Sequence, residues 1–373
     1  MADFDSTLPE SSPETLQDAS VEQVAPPEAA PLPPAPPKPT WGRLFFGDDG
    51  LRAGWSVLLY VILVILFGVC LNVVIKHFHL LAKTPPAPKI GETAELSPGF
   101  MGWSEVRFFV LFAVPAFFMS LIEKRPFSRY GLGATRMLPD FVTGLFWGFA
   151  ALSALVGTLY LTHGIAFDGV LLHGAPALTY AAKWGFVFLF VGLFEEFFFR
   201  GYFLYTVSRG VAGIVRAMDA RNRYSHAIGF WISAGIFSIG LFMLAHLGNG
   251  GENLVGIFQV GLVGAIFAFS LYRTGSLWWA VGMHTSWDWA QSYFYGTADS
   301  GTISFGRLMA SHPMGSKLLS GGTDGPEGSV LGIPTLLLML VVIHFTLPRR
   351  NYPLTADQAA PVVPPGEEVA SSI

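Results

Sequence analysis

Residues 184–207 read WGFVFLFVGLFEEFFFRGYFLYTV, an apolar stretch interrupted by two adjacent glutamates and an arginine. The stretch belongs to a hydrophobic segment, 177–207, that is long enough to cross a bilayer, for which a helix needs about 20 mostly apolar residues. An ionisable side chain at mid-depth in a membrane costs at least about 2.5–3.5 kcal/mol. Glu195, Glu196 and Arg200 therefore indicate polar chemistry performed inside a membrane.

The composition of the whole chain also indicates a membrane protein. Of 373 residues, 52% are hydrophobic and only 13% are charged, whereas about 25% of the residues in soluble domains are charged. The 42 glycines suit helices that pack closely in lipid. The single cysteine, Cys70, excludes an internal disulfide framework.

Eight segments are apolar and long enough, or nearly so, to span a membrane as helices. They cover residues 54–75, 105–122, 141–162, 177–207, 227–247, 253–272, 276–295 and 330–347. The predicted fold class is therefore all-α, a polytopic membrane helix bundle with about eight transmembrane helices.

The connections that hold Lys and Arg predict how the bundle is oriented, because these residues collect on the cytoplasmic side. They cluster before the first helix, between the second and third, fourth and fifth, and sixth and seventh, and after the eighth. With eight helices, all five places lie on one side. We therefore expect a multi-pass protein of the cell membrane with both termini in the cytoplasm.

The two ends of the chain differ from the bundle in composition. Residues 1–40 hold ten prolines, seven acidic residues and one lysine, too little apolar surface to offset the entropy of ordering. The predicted domains are a disordered, Pro-rich acidic tail at 1–40, a transmembrane bundle at 41–350 and a second disordered tail at 351–373.

No basic, aromatic platform points to nucleic acid. The expected partners are the lipid bilayer and a membrane-associated protein or peptide substrate.

The first polar motif lies in the fourth predicted helix. Glu196 and Arg200 are four residues apart and share a helix face, so an ion pair between them lowers the cost of holding both in lipid. Glu195 points about 100° away and stays free to act as a general base. The structural alternative is an ordinary Glu–Arg pair near the interface, with Glu195 reaching outward to water.

Two later helices each carry a histidine at the same four-residue spacing. One contains Phe242 and His246, the other His284 and Asp288. A carboxylate beside an imidazole fixes its tautomer and stabilises its protonated form. Taken singly, each histidine is also compatible with packing or a structural hydrogen bond. His246 is expected near the outer end of its helix, whereas Glu195 is expected deeper.

The ordered set of motifs resembles the CAAX prenyl protease and bacteriocin-processing family of intramembrane endopeptidases, often called the CPBP or ABI family. That family is marked by Glu-Glu-x-x-x-Arg, Phe-x-x-x-His and His-x-x-x-Asn, or a variant, on three successive catalytic helices. The matching positions are Glu195, Glu196, Arg200, Phe242, His246, His284 and Asp288. The resemblance covers residues 180–295, the predicted catalytic core.

The resemblance implies hydrolysis of a peptide bond within the membrane. Glu195 and His246 would activate a water molecule, and His284, aided by Asp288, would stabilise the developing oxyanion. The Glu–Arg pair would brace the fourth helix. Because the family has been described both as metal-dependent and as glutamate proteases, zinc on Glu195, His246 and His284 is an open alternative.

One position departs from the pattern of the members that cleave prenylated CAAX proteins. These typically carry Asn, an amide that can donate to an oxyanion, where this chain has Asp288. An ionised aspartate only accepts hydrogen bonds, so Asp288 is expected to orient His284, to help hold a metal, or to be protonated. CAAX-type processing is therefore a less secure expectation than the site itself.

Two other classes of protein stay open. Intramembrane Glu, His and Arg also mark ion pathways, as in a proton-coupled transporter, although paired broken helices in two related halves are not evident. The second is a non-enzymatic scaffold that binds a peptide or confers bacteriocin immunity.

Overall fold

Apolar helices make up most of the computed structural model, which describes residues 40–47, 49–80, 94–249, 251 and 253–349. Apart from Thr40, the tails predicted at 1–40 and 351–373 lie outside these residues. The chain divides into two units, Met1–Arg43 and Leu44–Ile373, and the second contains the bundle.

The described residues form twelve α-helices. In chain order they are α1 (Thr40–Phe45), α2 (Ala53–His77), α3 (Pro98–Ile122), α4 (Met137–Leu161), α5 (Gly174–Arg200), α6 (Tyr202–Met218), α7 (Ser225–Ser233), α8 (Phe242–His246), α9 (Leu254–Thr274), α10 (Trp278–Asp288), α11 (Lys317–Ser320) and α12 (Gly332–Thr346). Six stretches among them are long and apolar enough to cross a membrane, namely α2, α3, α4, α5 with α6, Ser225–His246, and α9. The shorter α10 and α12 correspond to the seventh and eighth predicted segments. The predicted all-α membrane bundle is confirmed.

Two of the predicted helices differ from the structure by more than four residues. Helix α3 begins at Pro98, seven residues before the predicted start, because the Ser97 side chain caps it by accepting from Phe100 N at 3.4 Å. The fourth predicted helix is two helices in the structure, because the helical conformation is interrupted at Gly201, between α5 and α6. A side chain at Gly201 would overlap the carbonyl oxygen of Phe197.

Two π-helical segments adjoin the predicted motifs. Residues Ala234–Leu241 lie between α7 and α8 and lead directly into Phe242. Residues Trp289–Phe294 follow Asp288 at the end of α10. π-helical turns inside α-helices frequently occur at functional sites. Both segments therefore indicate a functional site near the start of α8 and the end of α10.

Close packing of α4 against α10 fixes the position of the third motif. Gly144 and Gly148 are four residues apart on α4, a spacing that lets helix backbones approach closely in membranes. A Cβ at Gly144 would lie 2.9 Å from Met283 N, and one at Gly148 would overlap Met283 O and the Ser286 hydroxyl. The backbone beside His284 is therefore held directly against α4.

Six short strands lie in the described loops, and two of their three pairs connect loops at one end of the bundle. The strands are β1 (Phe46–Gly47), β2 (Gly50–Leu51), β3 (Ala94–Leu96), β4 (Ile165–Val170), β5 (Thr302–Ser304) and β6 (Met309–Pro313). Strand β3 pairs in parallel with β5, and β4 pairs antiparallel with β6 around a bulge near Gly169. These two pairs join the loops before α3, between α4 and α5, and between α10 and α12.

The opposite end of the bundle carries the basic connections. Arg273 Nε donates to Leu347 O at 2.6 Å and so joins the ends of α9 and α12. Trp278 Nε1 donates to Gly133 O at 2.9 Å, which joins the start of α10 to the connection between α3 and α4. The bundle therefore has a basic end and an end closed by paired strands, which we call the strand end.

Candidate active site

Arg200 lies at the centre of the buried polar cluster. Its Nη1 donates to Glu196 Oε1 at 2.9 Å, and neither side chain is exposed. Its Nε donates to the Ser238 hydroxyl at 2.7 Å, and its Nη2 donates to Ser238 O at 3.2 Å. The guanidinium carbon lies 4.3 Å from the centre of the Phe242 ring, a cation–π contact. Arg200 therefore joins the first motif to the second.

Glu196 connects the first motif to the third. The oxygen that accepts from Arg200, Oε1, also accepts from His284 Nδ1 at 3.1 Å. Since a carboxylate can only accept, Nδ1 carries the hydrogen and Nε2 faces the rest of the site. The other oxygen, Glu196 Oε2, is buried and has no hydrogen-bond partner among the described residues.

Two further carboxylates flank the Nε2 atom of His284. Asp288 Oδ2 lies 3.5 Å away and Glu195 Oε2 lies 3.7 Å away. These separations are long for a direct hydrogen bond but suit groups that share a bridging water. The side chains of Glu195, His284 and Asp288 are 21%, 14% and 14% exposed, so the group is partly accessible.

His246 is oriented by its own helix. Its Nδ1 lies 2.9 Å from Phe242 O, and because a carbonyl only accepts, Nδ1 is the donor. In the neutral imidazole this leaves Nε2 with an open lone pair, the form needed for a base or a ligand. The Phe242 ring contacts the imidazole edge-on, with centroids 4.6 Å apart. The Phe-x-x-x-His spacing therefore sets both the tautomer and the ring orientation.

A partly open cavity joins the second and third motifs. His246, His284 and Asp288 line it together with apolar side chains of α9, α10 and α12. All six predicted catalytic residues thus belong to one locality: five form a continuous cluster, and His246 faces the cavity that this cluster borders. The roles assigned to them stay predictions.

Sequence reasoning missed two polar side chains near this cluster. Ser238 lies in the first π-helical segment, where it accepts from Arg200 and donates to Gly264 O at 2.6 Å. Glu105, on α3, interacts electrostatically with Glu195 and His284. Glu105 opens the predicted segment 105–122, and an acidic residue at the start of an apolar stretch was the signal that could have identified it.

The positions of the candidate ligands bear on the zinc alternative. Among the described residues, no group of three or more His, Cys, Asp or Glu side chains is arranged to hold a metal ion. The arrangement therefore does not fit zinc as it stands, and zinc stays a prediction for direct measurement.

The fold and the site define a polytopic membrane protein that encloses a cluster of carboxylates, histidines and an arginine between its helices. Residues 177–290 match the family described as Rce1-like, type II CAAX prenyl endopeptidase. The chain therefore carries an Rce1-like region, and the resemblance seen in its motifs is confirmed. The match includes all six predicted catalytic residues and supports an intramembrane endopeptidase of the CAAX type in general. Comparison finds no match among curated proteins or solved structures.

Proposed function

We propose that the protein is an intramembrane endopeptidase that hydrolyses a peptide bond of a membrane-associated protein or peptide. The observation that carries the proposal is the placement of Glu195, Glu196 and Asp288 around His284, next to a cavity that His246 also lines. The Rce1-like match over the same residues supports the same reaction class.

The reaction begins with a water molecule held between Glu195 and His246. Glu195 takes one proton from this water as the oxygen attacks the carbonyl carbon of the scissile peptide bond. The other hydrogen stays on the attacking oxygen and donates a hydrogen bond to the open Nε2 of His246. The peptide C=O bond opens to an oxyanion. When the intermediate collapses, the C–N bond breaks and the proton held by Glu195 passes to the leaving amine.

His284 stabilises the oxyanion in this scheme. Glu196 holds Nδ1, and the protonated imidazole then directs Nε2–H toward the developing negative charge. Asp288 lies against the same nitrogen and stabilises the protonated ring. Arg200 neutralises Glu196 and so limits the negative charge around His284. The proton on His284 Nε2 therefore stays available to the oxyanion.

The test is a panel of Glu195→Gln, His246→Ala and His284→Ala variants, with proteolysis followed by comparing membrane peptides in cells that carry each variant. We expect each change to lower cleavage by about 10²–10³-fold or more, as for a general base or an oxyanion donor. Glu95→Gln is the matched control, because Glu95 is a half-exposed carboxylate of β3 that pairs with Arg307 at 3.5 Å. Full cellular function in all three variants would instead support a peptide-binding scaffold.

Metal content is a separate question in the same samples. The mechanism above uses only side chains of the chain and water. If zinc binds Glu195, His246 and His284, the purified protein will contain about one equivalent, and the His246→Ala variant will lose it. Equal metal content in both proteins would contradict the predicted zinc site.

A further inference from the structure

A buried serine lies four residues before the Phe-x-x-x-His motif, in the first π-helical segment. Residues 238–246 read SIGLFMLAH, so that Ser238, Phe242 and His246 follow one another at a spacing of four. Ser238 is fully buried and is not one of the described residues that line the active-site cavity. Any effect of Ser238 on the reaction must therefore pass through the groups that it contacts.

The hydroxyl of Ser238 has a fixed direction. Gly264 O can only accept, so the hydroxyl proton points to it, with the two oxygens 2.6 Å apart. The hydroxyl oxygen is then left to accept from Arg200 Nε at 2.7 Å, while the Ser238 carbonyl accepts from Arg200 Nη2 at 3.2 Å. Ser238 therefore joins three elements: α5 through Arg200, α9 through Gly264, and the π-helical segment to which it belongs.

Helix α9 packs closely against the segment that leads to His246. A Cβ at Gly264 would overlap the carbonyl oxygen of Ser238, and a Cβ at Gly261 would lie 2.5 Å from Met243 Sδ. The π-helical segment and α8 are thus held against α9 at two successive points, and Ser238 supplies a hydrogen bond at the first of them. The position of α8 along α9 therefore depends on this contact.

Arg200 carries the influence of Ser238 to the third motif. Its Nη1 donates to Glu196 Oε1 at 2.9 Å, and the same oxygen accepts from His284 Nδ1 at 3.1 Å. A guanidinium that moved on α5 would change the environment of this shared oxygen. The Ser238 hydroxyl is therefore connected to the proposed oxyanion donor through two hydrogen bonds and one carboxylate.

We propose that Ser238 is a positioning residue, which extends the second motif to Ser-x-x-x-Phe-x-x-x-His and aligns His246 with His284 across the active site. The inference rests on the proposed endopeptidase function. A hydroxyl suits this position because it donates to a carbonyl and accepts from a guanidinium at once, whereas alanine does neither and a thiol does both only weakly. Without the hydroxyl, Arg200 Nε would lose its acceptor in a buried environment, which favours a shift of the guanidinium.

Kinetics test whether Ser238 acts on the chemical step. The substrate is a membrane peptide that the wild-type protein cleaves and Glu195→Gln does not, and the full chain is used in lipid nanodiscs. We expect Ser238→Ala and the closely isosteric Ser238→Cys to lower kcat by about 10–10²-fold and to keep KM within about twofold, because Ser238 lies off the cavity but aligns the reacting groups. Ser270→Ala is the matched control and should keep kcat, since Ser270 is also fully buried but its hydroxyl donates within α9, to Phe267 O at 2.8 Å.

A second measurement does not depend on cleavage. The imidazole N–H signal of His284, identified by its loss in His284→Ala, reports the hydrogen bond to Glu196 and is followed by NMR of isotope-labelled histidines. This signal should move in both Ser238 variants and keep its position in Ser270→Ala, because only the Ser238 variants remove a partner of Arg200. An unchanged signal or an unchanged kcat in both Ser238 variants, or an equal change in Ser270→Ala, would overturn the proposal. Absence of cleavage by the wild-type protein would contradict the proposed function, and the NMR comparison would still decide the role of Ser238.

Discussion

Arg200 illustrates how a single buried side chain holds separate motifs together. Its Nε, Nη1 and Nη2 atoms each donate to Glu196 or Ser238, while the rings of Phe242 and Phe267 cover the guanidinium. A lysine offers one point charge and cannot reproduce this forked geometry. The arginine of the first motif is therefore best understood as the residue that positions Glu196 and, through it, His284.

Replacing Arg200 by Met should destabilise the protein by about 3–5 kcal/mol, because buried Glu196 would lose its arginine partner and keep only the hydrogen bond from His284. The matched control is Arg136→Met, since Arg136 also pairs with a carboxylate four residues away, Asp140 at 3.2 Å, but is partly exposed. That change should cost about 1 kcal/mol or less. Unfolding in detergent measures both, and equal losses would contradict the assignment.

Substitutions of Asp288 test whether the reaction needs a carboxylate at the position where this chain departs from the family pattern. Asp288→Asn keeps the shape of the side chain and an oxygen near His284 Nε2, 3.5 Å away in the native protein. We expect this variant to retain cleavage within about tenfold of wild type, because an amide can donate directly to the oxyanion. Asp288→Leu should lose about 10²-fold or more. An Asn variant as inactive as the Leu variant would show that the carboxylate charge is indispensable.

At the scale of the elements, the chemistry depends on helices that carry no catalytic residue. Helix α4 lies outside the family match, yet its glycines determine how closely α10 can approach. Helix α3 likewise brings Glu105 toward Glu195, with Phe108 and Phe112 stacked on Phe194. The Rce1-like region is therefore completed by helices from the less similar part of the chain.

Gly148→Ala should destabilise the bundle by about 1–3 kcal/mol, because the added methyl overlaps Met283 O and Ser286. Helix α10 would have to move away from α4, so cleavage should fall together with the unfolding temperature. Gly157→Ala is the control on the same helix, since a Cβ there meets nothing within 4 Å. Equal stability of the two variants would show that close packing of α4 against α10 is not required for a stable fold.

Helical segments and motif pairs could be predicted from the sequence because they depend on periodicity and short spacing. The Glu196–Arg200 pair follows directly from a separation of four residues. The break at Gly201, the Ser238 contact and the Gly148 packing could not be predicted, because each depends on which helices become neighbours. Glu327 lay beyond the recognised motifs, and only the path of the loop between α10 and α12 places it on the cavity.

At the scale of the whole molecule, the two ends of the bundle differ in chemistry. Basic connections occupy one end, whereas the lining of the active-site cavity runs along α9 to Gly256, near the strand end. If the basic end is cytoplasmic, as the distribution of Lys and Arg predicts, this part of the cavity lies on the side away from the cytoplasm. Orientation in the cell membrane is therefore directly relevant to which substrates can reach the site.

Cysteine labelling can determine this orientation, because Cys70 is the single cysteine of the chain. In a Cys70→Ser background, Thr323→Cys places a thiol at an exposed position of the strand end, and Ser128→Cys places one at an exposed position of the basic end. A membrane-impermeant maleimide should label Thr323→Cys in intact cells and Ser128→Cys only after lysis. The reverse pattern would invert the predicted topology.

The π-helical segment Ala234–Leu241 has a consequence for how tolerant the second motif is to changes in chain length. In a π turn the backbone hydrogen bonds join residues i and i+5, whereas in an α turn they join residues i and i+4. A π turn therefore contains one more residue than an α turn. Deleting one residue there would restore regular α-helix at modest cost to the fold. The residues downstream would keep nearly the same helix face, because five residues of a π turn cover about the same rotation as four residues of an α-helix. We therefore expect a one-codon deletion in this segment to leave His246 on the cavity wall.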